Sequence, residues 1–176
     1  TENSVSYFAL LLEDKQWKRA EQVLAKIESD PNVKKITLTD MRAKLLADQG
    51  DVDGGVNTYK QYLAGLAGNA TALDQIGYGQ FLQKYERFDD AIEAFRNGRA
   101  LQAEGNFDAD IALANMLITR SNTMSTQIDV MRATQQAEAA DQLNQERTAI
   151  LNEAAQAMKR IIDAGGDDPA NGLVVH

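Results

Sequence analysis

The sequence predicts an all-α chain built of stacked helical hairpins. Three observations carry that expectation. The first is a recurring pair, a small residue followed four positions later by a bulky one: Ala20 and Leu24, Gly55 and Tyr59, Ala91 and Phe95, with 35 residues from the first copy to the second and 36 from the second to the third. The second is composition: only 2 prolines stand among abundant Ala, Leu, Gln, Glu and Lys, the residues that lose least on entering a helix. The third is periodicity, with apolar residues such as Trp17, Ala20, Val23, Leu24 and Ile27 spaced by three and four, which places them on one helical face.

In chain order, the first helix is expected over Asn3 to Glu13, capped by Asn3 or Ser4, with Tyr7, Phe8 and Leu11 in its core positions. A turn at Lys15 and Gln16 leads to a second helix, which stops before Asp30-Pro31 because proline disfavours helix in the residue ahead of it. Thr37 or Thr39 starts the third helix, carrying Ala43 and Leu46, and it runs to Asp48. The segment DQGDVDGG turns the chain at Gly50, and the fourth helix follows with Val52, Gly55, Tyr59, Tyr62 and Leu63 as its stripe. Gly54 and Gly55 permit close helix contact at about 1 kcal/mol each relative to alanine.

GLAGNAT closes this unit, and Asn69-Ala70-Thr71, although it spells a glycosylation acceptor, reads first as helix punctuation. Tyr78, Gly79, Leu82, a turn near Glu86, and then Phe88, Ala91 and Phe95 complete the best-defined hairpin. The three units span about 1–34, 36–69 and 72–105.

Beyond them the pattern fades. Phe107 to Arg120 reads as another first-type helix with SNTMSTQ as a loop, and Thr126 and Val130 stand where the small and bulky residues are due, so a degenerate unit is expected over about 107–136. The stretch 126–164 is either one very long helix or, as the favoured reading, bends or breaks near 135–141 ahead of a final helix of about 25 residues over about 140–164, stopped by Gly165-Gly166 and followed by a tail over 165–176. The whole is expected to form one domain over 1–176, its last helix capping the stack with a wet outer face.

The leucine-glycine and aromatic positions ahead of an A-x-x-x-F, repeated at this interval, resemble the tetratricopeptide repeat (TPR) family, whose unit is about 34 residues. That resemblance implies a right-handed α-solenoid of three helix-turn-helix repeats, a degenerate fourth unit and a long C-terminal capping helix. It implies also that the first helix of each repeat lines a concave groove that takes a peptide or partner protein. On this register the groove-facing candidates are Asp40, Lys44, Asp48, Ile76, Gln80, Gln83, Lys84 and Asn115, within a broader set that includes Ala9, Leu12, Glu13, Leu73 and Ile111. Family members that clamp acidic chaperone tails carry lysine, asparagine and arginine at sites where this chain has Val5, Ala9, Met41, Leu73 and Gly77, so that use is not expected, although Lys44 and Lys84 remain able to take one carboxylate between them.

Composition restricts the function classes. The chain has 176 residues, 44% of them hydrophobic, enough for a continuous core, and no run near the roughly 20 apolar residues of a membrane span, so no membrane insertion is expected. With no cysteine, disulfides, thiolate catalysis and sulfur-bound metals are excluded, while the compartment stays open. A net charge of -8 without a basic cluster disfavours nucleic acid as a partner.

The single histidine is His176, and neither a phosphate loop nor a nucleophile elbow is present. Asp48, Asp51 and Asp53 lack the further ligands of a calcium loop and read as an acidic, helix-capping turn. Asp89-Asp90 and Asp167-Asp168 are adjacent rather than three or four apart, and read as capping or solvation. No catalytic residues, cofactor or metal are therefore expected, and the expected class is a non-catalytic protein-interaction scaffold. The alternative is a structural, oligomerising or regulatory segment of a larger assembly or longer protein, self-associating through the last helix, where the doublets Ile150-Leu151 and Ile161-Ile162 are wide enough to leave a face uncovered. The start at Thr1 suggests a processed or excised segment.

Overall fold

The computed structural model describes residues 2–165, and within them every regular element is an α-helix. They are α1 (Glu2–Glu13), α2 (Trp17–Glu28), α3 (Lys35–Asp48), α4 (Val52–Gly65), α5 (Ala72–Lys84), α6 (Phe88–Leu101), α7 (Asp108–Ala133) and α8 (Ala137–Gly165). The chain divides into two compact units, Thr1–Ala91 and Ile92–His176. The expected tail, with Pro169 and His176, lies outside the described residues.

In the first unit each tight turn between paired helices is made the same way. Lys15, Gly50 and Glu86 adopt positive φ (55°, 100° and 60°), and they are the same position of successive repeats. In each turn two backbone N–H groups reach back to the preceding helix: Gln16 to Leu11 at 2.8 Å, Asp51 to Leu46 at 2.9 Å and Arg87 to Leu82 at 2.9 Å, each with its neighbour one residue earlier. The motif satisfies carbonyls that a helix end would otherwise leave bare. Two of the three positions hold a residue with a Cβ, whose strain the paired hydrogen bonds oppose.

Five residues past each turn comes the small residue of the pattern. Ala20 and Ala91 are wholly buried and Gly55 is buried with them. At Gly55 the demand for smallness is sharpest, because a Cβ there would sit 2.7 Å from the Ala43 carbonyl oxygen and 2.6 Å from Cζ of Phe81. Removing the side chain lets α4 touch α3 backbone to backbone. Around this contact the rings of Tyr59 and Tyr78 lie 5.2 Å apart, Tyr59 and Phe81 5.2 Å, and Phe81 and Tyr85 4.8 Å. Upstream, Phe8, Leu11, Leu12, Ala20, Leu24, Ile27, Met41 and Leu45 form one apolar cluster, each large side chain worth about 1.5–3 kcal/mol of burial.

Helix starts differ from the expectation. Asn3 and Ser4 lie inside α1, and α3 begins at Lys35, so Thr39 is internal and its hydroxyl donates to the Lys35 carbonyl at 2.9 Å. The start of α5, by contrast, is fixed by a reciprocal cap: Asp74 N–H donates to Thr71 Oγ1 and Thr71 N–H to Asp74 Oδ2.

The second unit holds the C-terminal part of α6, then α7 and α8. Ser121 to Gln127, expected as a loop, is helical, and α7 runs unbroken to Ala133. Two features explain it. Leu113, Leu117, Ser121, Met124 and Ile128, spaced by four, four, three and four, keep one buried stripe through the segment. The hydroxyls of Thr119, Thr123 and Thr126 donate to carbonyls four residues back and so do not compete with the helix.

The turn due near residue 121, 35 after Glu86, instead falls at Gln135, 14 residues later, with φ 60° and the same pair of bonds, Gln135 N–H to Arg132 and Gln136 N–H to Met131. Five residues on, Ala140 is wholly buried, as Ala20 and Ala91 are. Fourteen residues are close to four helical turns at 3.6 per turn, so the lengthened helix keeps its buried face in register. The helices α7 and α8, which fall on the segments expected as a degenerate unit and a capping helix, are the two long arms of one hairpin, and the break expected near 135–141 is its turn.

Candidate functional site

In the first unit the first-type helices α1, α3 and α5 are neighbours in order, and α3 supplies a strip of charge along their common face. Asp40, Lys44 and Asp48 follow one another at four-residue intervals, one helical face. Lys44 Nζ donates to Asp40 Oδ2 at 2.6 Å, and Tyr59 Oη donates to Asp40 Oδ1 at 2.8 Å. Asp48 has a similar pair of partners from α5 and its turn: Tyr85 Oη donates to Oδ1 at 2.7 Å, while Lys84 Nζ lies at 3.4 and 3.3 Å from the two oxygens. The Lys84 ammonium also stands 5.0 Å from the centre of the Tyr85 ring. A third phenol, Tyr62, donates to Asp74 at 2.6 Å.

Burial and these pairings keep the three phenols un-ionised. Burial first, then the bond to a carboxylate, raises the Tyr59 and Tyr85 hydroxyls well above the ordinary tyrosine range, and the same causes push Tyr62 up to about 12. Burial also pushes Asp74 up, but the Thr71 hydroxyl, the Tyr62 hydroxyl and the Thr71 N–H outweigh it and hold the acid below the usual carboxylate value. All three phenols are therefore neutral donors at physiological pH, and they hold their acids in place.

Beside Asp48 and Lys84 a cleft of about 260 Å³ opens between the α1–α2 turn and the ends of α3 and α5, lined by Ala9, Leu12, Glu13, Lys15, Trp17, Asp48 and Lys84. Its floor is apolar and its rim is charged.

Of the eight candidates read from the sequence, Asp40, Lys44, Asp48 and Lys84 come together here. Gln80 and Gln83 are exposed on α5, and Ile76 is buried, 8% exposed, where it packs instead of facing outward. Asn115 lies exposed on α7, in the second unit. The tyrosines were missed because an aromatic on an amphipathic stripe reads as core; a phenol recurring opposite an acid was the available signal. The capping box was missed as well, although Thr71-x-x-Asp74 spells it.

Each carboxylate of the acidic turn has a partner within the first unit. Asp51 caps α4 by accepting from Gly54 N–H at 2.8 Å, Asp53 pairs with Arg87 at 2.9 Å, and Asp48 is engaged as above. Arg87 also pairs with Asp90 in the first turn of α6, and both bridges lie on the solvated surface. Among the described residues no cluster of three or more ligand side chains could hold a metal ion, and no helix is long and apolar enough to cross a membrane.

The second unit has its own polar centre. Asp110, 0% exposed in the first turn of α7, accepts from Gln102 and from Arg160 Nη1 at 3.2 Å, and Arg96 forks onto Glu153 at 2.9 and 2.5 Å. The Arg96 bond depresses the Glu153 pKa and raises that of Arg96.

Recurring turns, recurring small residues and neighbouring first-type helices define the class: an all-α, TPR-like helical repeat. No protein-family model matches the chain. No curated protein matches it either. Among solved structures it is similar to the nearly identical TPR-like repeats of a Podosopora anserina protein described as a kinesin light chain, with 15% identity and a TM-score of 0.47 over 91% of this chain and 95% of that one. A second structure of those repeats, carrying one substitution, is similar at 14% identity and a TM-score of 0.46 over the same shares. Likeness of that degree leaves the assignment resting on this chain's own hairpins.

Proposed function

We propose that the chain is a non-catalytic protein-interaction scaffold whose first unit binds a peptide or partner protein along the face of α1, α3 and α5. The supporting observation is the cleft of Ala9, Leu12 and Trp17, an apolar floor rimmed by Glu13, Lys15, Asp48 and Lys84, which suits one apolar side chain of a partner with polar neighbours. Asp40, Lys44, Asp48, Gln80, Gln83 and Lys84 are the contact residues of this unit, and Asn115 is a contact residue of the second. A peptide library displayed on phage and selected on the purified chain tests this. Binders whose affinity falls on Gln80→Ala and Lys84→Glu support it, and binders indifferent to both contradict it.

Self-association through α8 is the second reading. It is favoured by Ile162, 64% exposed next to buried Ile161. Light scattering on Ile162→Glu is the test: a dimer that becomes a monomer supports self-association, and a chain monomeric throughout removes it.

A further inference from the structure

The α7–α8 hairpin is packed unevenly along its length. Its base is dense: Leu113, Met116 and Leu117 of α7 are wholly buried, and Ala154, Ala157 and Ile161 are buried on α8. Polar contacts tie the base down as well, since Arg160 reaches buried Asp110 and Arg96 of α6 forks onto Glu153. Toward the turn at Gln135 the buried side chains thin to Met124 and Ile128 on α7 and Ala140 on α8. The ion pair of that tip, Arg132 to Asp141, is 3.8 Å long between two exposed side chains. Between Ala140 and Ala154 no side chain of α8 is fully buried.

A polar layer divides the two parts. Ser121 is 1% exposed, yet its hydroxyl has no hydrogen-bond partner among the described residues, whereas those of Thr119, Thr123 and Thr126 each reach a carbonyl four residues back. The Ser121 carbonyl accepts from Arg147 Nε of α8 at 3.2 Å, which sets a guanidinium between the apolar layers on either side. A buried hydroxyl left unpaired penalises the packed state, and the penalty is relieved when water reaches it, so this layer favours opening. Ser121, Asn122, Thr123, Ser125 and Thr126 are weak helix formers, so the backbone does not hold the segment by itself. The layer also falls where the repeat spacing calls for a turn, 35 residues after Glu86.

We propose that this layer is a joint: the tip of the hairpin, residues 122–146, opens and re-forms as a unit while the base stays packed, and Arg147 is the side chain that latches it shut. The inference stands apart from the scaffold reading. It gives the second unit an arm that changes shape without unfolding the rest.

Native-state hydrogen exchange of the whole chain, read amide by amide by NMR, tests it. Amides of the tip, at Met124, Ile128 and Leu143, should exchange together and about 100-fold faster than those at Leu113, Leu117 and Ala157. Ile161→Val loosens the base; it should speed exchange there about three- to tenfold and leave the tip rate unchanged, because the base is intact when the tip opens. Ser121→Ala removes the unpaired hydroxyl and should slow the tip about three- to tenfold, while Arg147→Gln removes the latch and should speed it about threefold. Circular dichroism melts confirm that each variant folds. One common rate for tip and base, or a tip that follows Ile161→Val as closely as the base does, means that the hairpin opens in one piece and overturns the proposal. A tip rate indifferent to both Ser121→Ala and Arg147→Gln takes the joint away from this layer and overturns it as well.

Discussion

Gly55→Ala puts the hairpin geometry under the most direct stress. On propensity alone the change should help, since alanine in a helix is favoured over glycine by about 1 kcal/mol. The structure reverses the sign. The new methyl carbon would stand 2.7 Å from the Ala43 carbonyl oxygen and 2.6 Å from the Phe81 ring, both well inside ordinary contact, and the first is backbone that cannot rotate away. To admit it, α4 must move off α3, loosening Tyr59, which is 1% exposed, stacked on Tyr78 and tilted against Phe81. Overpacking costs about 1–3 kcal/mol, and contact with fixed backbone places this case at the upper end, about 2–3 kcal/mol. After the propensity gain a net loss of about 1–2 kcal/mol remains, about 2–8 °C in Tm for a chain of this size. Gly65→Ala, in the last turn of the same helix with open space around its Cβ position, is the matched control and should be neutral or stabilising by up to about 1 kcal/mol. Thermal and urea denaturation of both variants decide it: Gly55→Ala as stable as wild type, or shifted like Gly65→Ala, would refute the close approach of α3 and α4.

Other consequences follow from single contacts. Thr71→Ala removes one half of the α5 capping box and should lower stability by about 1 kcal/mol in urea melts, with Thr71→Ser restoring most of it. Asp110→Ala leaves Gln102 and Arg160 without their shared buried acceptor and should destabilise the second unit by about 2–3 kcal/mol, read by hydrogen exchange of α7. Glu153, depressed by Arg96, binds fewer protons folded than unfolded; its stabilisation is present above its ordinary pKa of 4.5 and is lost as pH falls through the lower folded value, so acid melts of Arg96→Gln should be flatter below about pH 4.5 than those of wild type.

What the sequence carried best was periodicity. Ala20, Gly55 and Ala91 are all buried, and their spacing was enough to place three hairpins, since a small residue before a bulky one is what tight pairing requires. The turn at Gln135 was legible only as a break near 135–141 and not as a repeat turn, because it comes 14 residues late and its positive φ falls on a glutamine where no glycine marks it. The run SNTMSTQ looked like a loop from its hydroxyls, yet the helix absorbs each threonine by a bond to its own previous turn, and Met124 and Ile128 continue a stripe set by Leu113 and Leu117. Ala140 escaped notice because Asn144 replaces the bulky residue that follows elsewhere. Helical register alone places Asp40, Lys44 and Asp48 on one face of α3, while Lys84 on α5 joins them only through the packing of the two helices. That Tyr59 and Tyr85 would hold the acids depends on contacts 19 and 37 residues apart, which no local pattern encodes.

The most direct measurement is a chemical-shift map of the isotope-labelled chain titrated with a selected peptide. Perturbations concentrated on Ala9, Leu12 and Trp17 and along α3 and α5 around Lys44, Asp48, Gln80 and Lys84 are the predicted result. Perturbations confined to α2, α4 or the α7–α8 hairpin, with that face silent, would contradict it.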